Sequence, residues 1–326
     1  MEKSNSATTM PRYLKTGLRI LVAVLLTIFL VWLLRDWISL NRIRTVIIDA
    51  HFGLIGAGFL FYIVSYWLRA KRWQVFDIHD QMSLPNLFAI TSIHTLVNNI
   101  LPARTGELAY PYFQKKIQNV SVHQSLTSIV IVRMLDLAVI ALLFSGAQVI
   151  FNIFPLQSEF KLLAFGIFVG VILALIFLRK AIRLFSRVFI KLPKIQLLLI
   201  DTDKMIAEMQ ERDRFIRAAV WSLLAWLCKF VNFYLLLLAM GFAVTFPETI
   251  FGATLSELTT VLPVHGFAGI GTVEAGWTAG FGLSRILSMN DAVNSGFAVH
   301  FLFLLFSLIL GVAGALMVIR IPNDKG

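Results

Sequence analysis

SLTSIVIVRMLDLAVIALLFSGAQVIF, the run from Ser125 to Phe151, decides the fold. A helix needs about 20 predominantly apolar residues to cross a hydrocarbon core of about 30 Å. This run exceeds that length, with Arg133 and Asp136 as its only charged positions. Comparable runs lie to either side, from Thr16 to Leu34, His51 to Leu68, Lys161 to Leu178, Arg217 to Gly241 and Asp291 to Ile319. The expectation is an all-α polytopic membrane protein with about six full spans. Two more apolar stretches, Leu87 to Tyr112 and Ile250 to Phe281, carry Pro and Gly near their middles. They are expected to form broken or re-entrant helical hairpins, because irregular backbone survives at membrane depth only where protein or water satisfies its polar groups.

Composition agrees. With 58% of its 326 residues hydrophobic and 14% charged, the chain has too little polar surface to cover a water-soluble globule. Cys228 is the only cysteine, which excludes an intrachain disulfide and a cysteine-built zinc or iron–sulfur centre; no metal or other cofactor is implied. The net charge of +11 raises nucleic acid as a partner. Cytoplasmic loops are enriched in Lys and Arg for insertion reasons alone, so the basicity is taken as topology and no nucleic acid is inferred. The first run follows Lys3, Arg12, Lys15 and Arg19, as a secretory signal would. It is long for a signal and ends in Trp32-Leu33-Leu34-Arg35-Asp36-Trp37 without a small-residue cleavage pattern, so it is taken as a retained span.

Lys and Arg crowd before Leu21, from Arg69 to Arg72, at Lys115 and Lys116, and from Arg179 to Arg217, which places these segments and both termini on the cytoplasmic side of the inner membrane. Arg35, Arg42 and Arg44 weaken that assignment locally. The resulting organisation is a cytoplasmic tail 1–15, a first membrane half 16–178 with hairpin 87–112, and a cytoplasmic amphipathic connector 179–216. The remainder of a second half follows at 217–319 with hairpin 250–281, and a tail at 320–326. That second half begins with the span 161–178, so the order span, span, hairpin, span occurs twice with opposite orientation, an inverted repeat of the kind many secondary transporters use. Phe88-Ala89-Ile90-Thr91 leads to Leu101-Pro102 and Gly106-Glu107, and Phe251-Gly252-Ala253-Thr254 leads to Leu262-Pro263 and Gly271-Thr272-Val273-Glu274. The hairpins share one grammar.

Ionisable groups at membrane depth are costly and mark functional candidates. Arg104 and Glu107 follow Pro102 in the first break, where free backbone N–H groups beside a fixed guanidinium suit a phosphate; the plainer reading is that the two pair with each other. In the second break, Gly269 and Gly271 let backbone approach a ligand near Glu274, or simply permit tight packing. Arg133 and Asp136 share a helix face and are expected to pair, with Arg133 a candidate for the anion site. Glu257 is expected to reach Arg104 or Arg133. His94 and His265, near the breaks, are candidates for a proton relay, although structural hydrogen bonding is the preferred role. Lys229 and His300 are taken as packing or snorkelling residues. No nucleophile, base and orienter constellation stands out, so an enzyme is not expected.

Three blocks carry a resemblance: Trp67-Leu68-Arg69-Ala70-Lys71-Arg72-Trp73, Asn98-Asn99-Ile100-Leu101-Pro102-Ala103-Arg104-Thr105-Gly106-Glu107 and Gly269-Ile270-Gly271-Thr272-Val273-Glu274-Ala275. Together they resemble the lysylphosphatidylglycerol synthase transmembrane-region family, which includes the flippase-type membrane half of multiple peptide resistance factor and many stand-alone membrane proteins. The resemblance covers nearly the whole chain and implies membrane-embedded lipid handling by Arg104, Gly106, Glu107, Gly269, Gly271 and Glu274. No soluble acyltransferase-like domain follows residue 319, so lysyl-lipid synthesis is not implied.

The expected function is a flippase-like transporter that moves the headgroup of an anionic phospholipid or polyprenyl-phosphate lipid through a site between the hairpins. Arg104 would hold phosphate, and Glu107 and Glu274 would balance or gate its charge. The alternative is a non-transporting accessory protein that binds lipid and a membrane glycosyltransferase or lipid-modifying enzyme.

Overall fold

The computed structural model describes residues 12–77, 83–101, 106–107, 109–153, 158–189, 192–211, 213–260 and 266–319. Within them the chain forms thirteen α-helices and no strand. They are α1 (Arg12–Leu34), α2 (Leu40–Ile48), α3 (Phe52–Val75), α4 (Leu84–Ile100), α5 (Ala109–Gln118), α6 (Val122–Phe151), α7 (Ser158–Ile176), α8 (Leu178–Val188), α9 (Pro193–Glu211), α10 (Arg214–Ala239), α11 (Phe246–Thr259), α12 (Thr272–Thr278) and α13 (Met289–Ile319). Pro102, Arg104, Pro263 and His265 lie outside the described residues.

Four helices, α3, α6, α10 and α13, are long and apolar enough to cross a membrane, and a fifth crossing arises if α7 and α8, bent by 81°, form one broken span. The figure of about six is finer than this, since the apolar part of α1, Leu21–Leu34, is short for a span among the described residues. The surface is the reverse of a soluble protein's. Large apolar side chains such as Leu25, Leu60, Phe301 and Ile319 face outward, while Arg72, Asp136, Lys229, Glu257 and Glu274 are buried. Only a hydrocarbon solvent makes that distribution favourable.

α3 and α10 form the central pair and run antiparallel. The His51 N–H at the start of α3 donates to the Ala239 carbonyl at the end of α10 (2.9 Å), and Asn232 donates through Nδ2 to the Gly58 carbonyl (2.7 Å). A glycine at 58 lets the backbones come close enough for that bond, a recurrent device where apolar burial cannot drive helix association. Around this pair the hairpins interlock. The first limb of the first hairpin, α4, packs along α13, with Asn99 donating to Ser307 (3.0 Å). The first limb of the second, α11, packs on α6, where Phe144 and Phe251 stack at 4.7 Å. Each hairpin thus rests on the long helix that follows the other one. α2 and the loop before it are pinned to the start of α13 by an Arg42–Asp291 pair (3.2 Å) and by Asn294, whose Oδ1 accepts from the Ser39 N–H (2.8 Å).

Candidate functional site

Each of the central helices turns one stripe inward. α3 contributes Tyr62, Ser65, Tyr66, Arg69 and Arg72; α4 contributes Thr91, His94, Thr95, Asn98 and Asn99. From α6 come Val132, Arg133 and Asp136, and from α10 Trp226, Lys229 and Phe233. Spacings of three and four residues bring such side chains to one helix face. The stripes surround a central cavity with an open mouth, and the second hairpin adds Glu257, Gly269 and Thr272 to its wall.

Three ion pairs order the charges. Arg72, only 2% exposed, donates to Asp136 (2.5 Å) and to the Ser222 hydroxyl (3.0 Å), while the Trp226 indole N–H donates to the same Asp136 oxygen (2.7 Å). Lys229 donates to Glu257 at 2.6 Å, and its ammonium sits 4.9 to 5.6 Å from the ring centroids of Phe303, Trp226 and Phe233. Such a cage stabilises a desolvated cation through the ring quadrupoles. Arg133 donates to Glu107 at 2.9 Å, with both side chains near a third exposed. Arg69 also lines the cavity, stacked on Trp226 at 5.3 Å, and has no carboxylate partner among the described residues. Four cations therefore face two lining carboxylates, Asp136 and Glu257, with Glu107 just outside the lining.

The hairpin breaks are shaped by close approach. A Cβ on Gly106 would come within 2.5 Å of the Asn98 backbone, so the returning chain can press against α4 only as glycine. In the second break Gly269 and Gly271 adopt φ of +77° and +85°, the left-handed region that side chains disfavour. The Gly271 N–H then donates to one oxygen of Glu274 (2.7 Å), and the other oxygen bonds His300 Nδ1 (2.6 Å), almost sealed from the surroundings. His94 lines the cavity edge-on to the Tyr110 ring, with centroids 5.5 Å apart.

Several pairings differ from those expected. Arg133 and Asp136 share a face but do not pair: Arg133 reaches Glu107, and Asp136 takes Arg72 from the facing helix, because a carboxylate at that depth is better desolvated beside a guanidinium and an indole N–H together. Glu257 pairs with Lys229 rather than Arg133. Lys229 and His300 do more than pack: both are buried at the cavity wall, and each has a buried carboxylate within bonding distance. Arg72, read from the sequence only as a charge that sets topology, is buried at the cavity wall, since α3 continues to Val75 past the end of its apolar run. The recoverable signal for Arg69 and Arg72 is their place on the stripe begun by Tyr62, Ser65 and Tyr66.

The chain belongs to the family described as the lysylphosphatidylglycerol synthase TM region, whose model matches residues 20–311. No curated protein matches it.

Proposed function

We propose that this member of the family carries the headgroup of an anionic, phosphate-bearing lipid across the inner membrane through the central cavity, with the acyl chains left in the bilayer. Membership supports a membrane domain concerned with lipid modification or transport. The observation that carries the finer reading is Arg69: once Asp136, Glu257 and Glu107 have neutralised their partners, it is the cation left over at the cavity wall among the described residues. An unbalanced guanidinium in a low-dielectric wall attracts an anion, and its planar fork matches phosphate oxygens. Arg104, in the first break, is assigned as a second phosphate contact, and Glu107 competes with the lipid for Arg133.

The same reading takes the two halves as an inverted repeat of six spans and two hairpins, both termini cytoplasmic, and assigns translocation to their rocking about the site. The antiparallel α3 and α10, the reciprocal seating of the hairpins and two break glutamates whose basic partners each lie 26 residues onward support it. No bond is made or broken in this scheme; the lipid, a phospholipid or a polyprenyl phosphate, is cargo.

The test is translocation of fluorescent lipids in liposomes containing the purified protein. Anionic lipids should redistribute within the assay, and Arg69→Gln should slow them roughly 10- to 100-fold, the loss of one charge-assisted hydrogen bond of about 1.5–3 kcal/mol. A folded protein that moves no lipid alone overturns transport and assigns the cavity to an accessory that presents lipid to a membrane enzyme.

A further inference from the structure

The connector after α7 carries a feature that the cavity does not use. α8 follows α7 across an 81° bend, so it lies nearly crosswise to the helix before it. It holds Arg179, Lys180, Arg183 and Arg187 within eleven residues, which bars it from crossing the hydrocarbon core. Its residues sort by angle. Leu178 and Ile182 are buried in a cluster shared with Ile206 and Met209 of α9. Arg179 and Arg183 turn to the same helix and both donate to Asp203, at 3.0 and 2.9 Å. Leu184, Phe185 and Val188 point away, each more than half exposed, and Leu192 and Ile195 at the start of α9 are exposed as well. Lys180 and Arg187, seven residues apart, border that outward face along the edge next to Leu184, and neither has a carboxylate partner among the described residues.

We infer that α8 is an anionic-lipid docking surface: its outward apolar face sinks into the leaflet that α7 leaves, and Lys180 and Arg187 hold phospholipid phosphates at the headgroup level. The bend fixes the helix in the membrane plane, the Asp203 clamp fixes its roll, and the two unpaired cations supply the charge that complements an anionic surface. This assignment is independent of the cavity, since none of these residues lines it.

The full chain tests it with one fluorophore. Val188→Cys, in a Cys228→Ser background and labelled with an environment-sensitive dye, is reconstituted in phosphatidylcholine vesicles containing phosphatidylglycerol, with bromine quenchers on either lipid. Emission should shift to the blue, and brominated phosphatidylglycerol should quench at least about threefold better than its share of the lipid. High salt should abolish the preference without reversing the shift, and Lys180→Gln with Arg187→Gln should do the same. Water-like emission overturns the inference. Equal quenching by both lipids overturns the anionic preference, and blue emission that no lipid quenches assigns the face to another copy of the chain. The salt titration needs no charge variant, so a misfolded double substitution cannot blur the result.

Discussion

Each hairpin break places a glutamate against a basic side chain 26 residues further on, but the two pairs sit in different surroundings. Glu107 and Arg133 are 28% and 31% exposed, whereas Glu274 and His300 are 2% and 7% exposed. The first pair joins a permanent cation to a carboxylate beside an open cavity, where water or an anionic ligand can take the place of Glu107 on Arg133. The second is nearly closed off, with only His300 reaching the cavity wall, and its carboxylate also receives the Gly271 N–H that starts α12. One grammar therefore yields an exchangeable contact at the first hairpin and a fixed pin at the second. The scheme proposed above needs this asymmetry: one side must release its charge to cargo while the other holds the fold.

The largest effect should come from pulling the pin. Glu274→Ala leaves the His300 ring and the Gly271 N–H unpartnered in a buried site, at about 1–3 kcal/mol each. A thermal melt in detergent should show a fall of several degrees; a fall no larger than that of Glu107→Ala would erase the distinction. Next in size is Gly106→Ala, which pushes a Cβ into the Asn98 backbone and should cost about 1–3 kcal/mol by overpacking, read from the same melt. Glu107→Gln should change stability by less than about 1 kcal/mol yet alter lipid translocation, because it frees Arg133.

Smallest is the Asp203 clamp. Burial alone would raise the Asp203 carboxyl, but hydrogen bonds and charge from Arg179 and Arg183 outweigh it and hold the group below its ordinary value. A carboxyl depressed in the folded state contributes stability above its unfolded pKa of about 3.9 and loses it as pH falls through the lower folded value. Hydrogen exchange across Pro193–Glu211 should therefore accelerate only in acid, and Asp203→Asn should bring that acceleration to neutral pH.

Much of this architecture is legible in the sequence and much of the site is not. Apolar runs announce the helices, and the Pro and Gly interruptions announce both breaks, because length and backbone freedom are local properties. Ion-pair partners are not local. Asp136 meets Arg72 from 64 residues away and Trp226 from 90, so its spacing from Arg133 suggests a pair that the packing of three helices replaces. Lys229 shows no acidic neighbour on its own helix, and only the seating of α11 brings Glu257 to it. The α4 stripe of Thr91, His94, Thr95, Asn98 and Asn99 was within reach, since a polar face on an apolar helix has to line a cavity or a partner.

The most direct test of the central claim is to crosslink the headgroup where it binds. An anionic phospholipid carrying a photoreactive headgroup, activated in vesicles with the intact protein and mapped by mass spectrometry, should label cavity residues of α3, α4 and α10. Arg69→Gln should reduce that labelling roughly tenfold or more. Labelling confined to the lipid-facing surface and unchanged in Arg69→Gln would contradict a headgroup site in the cavity.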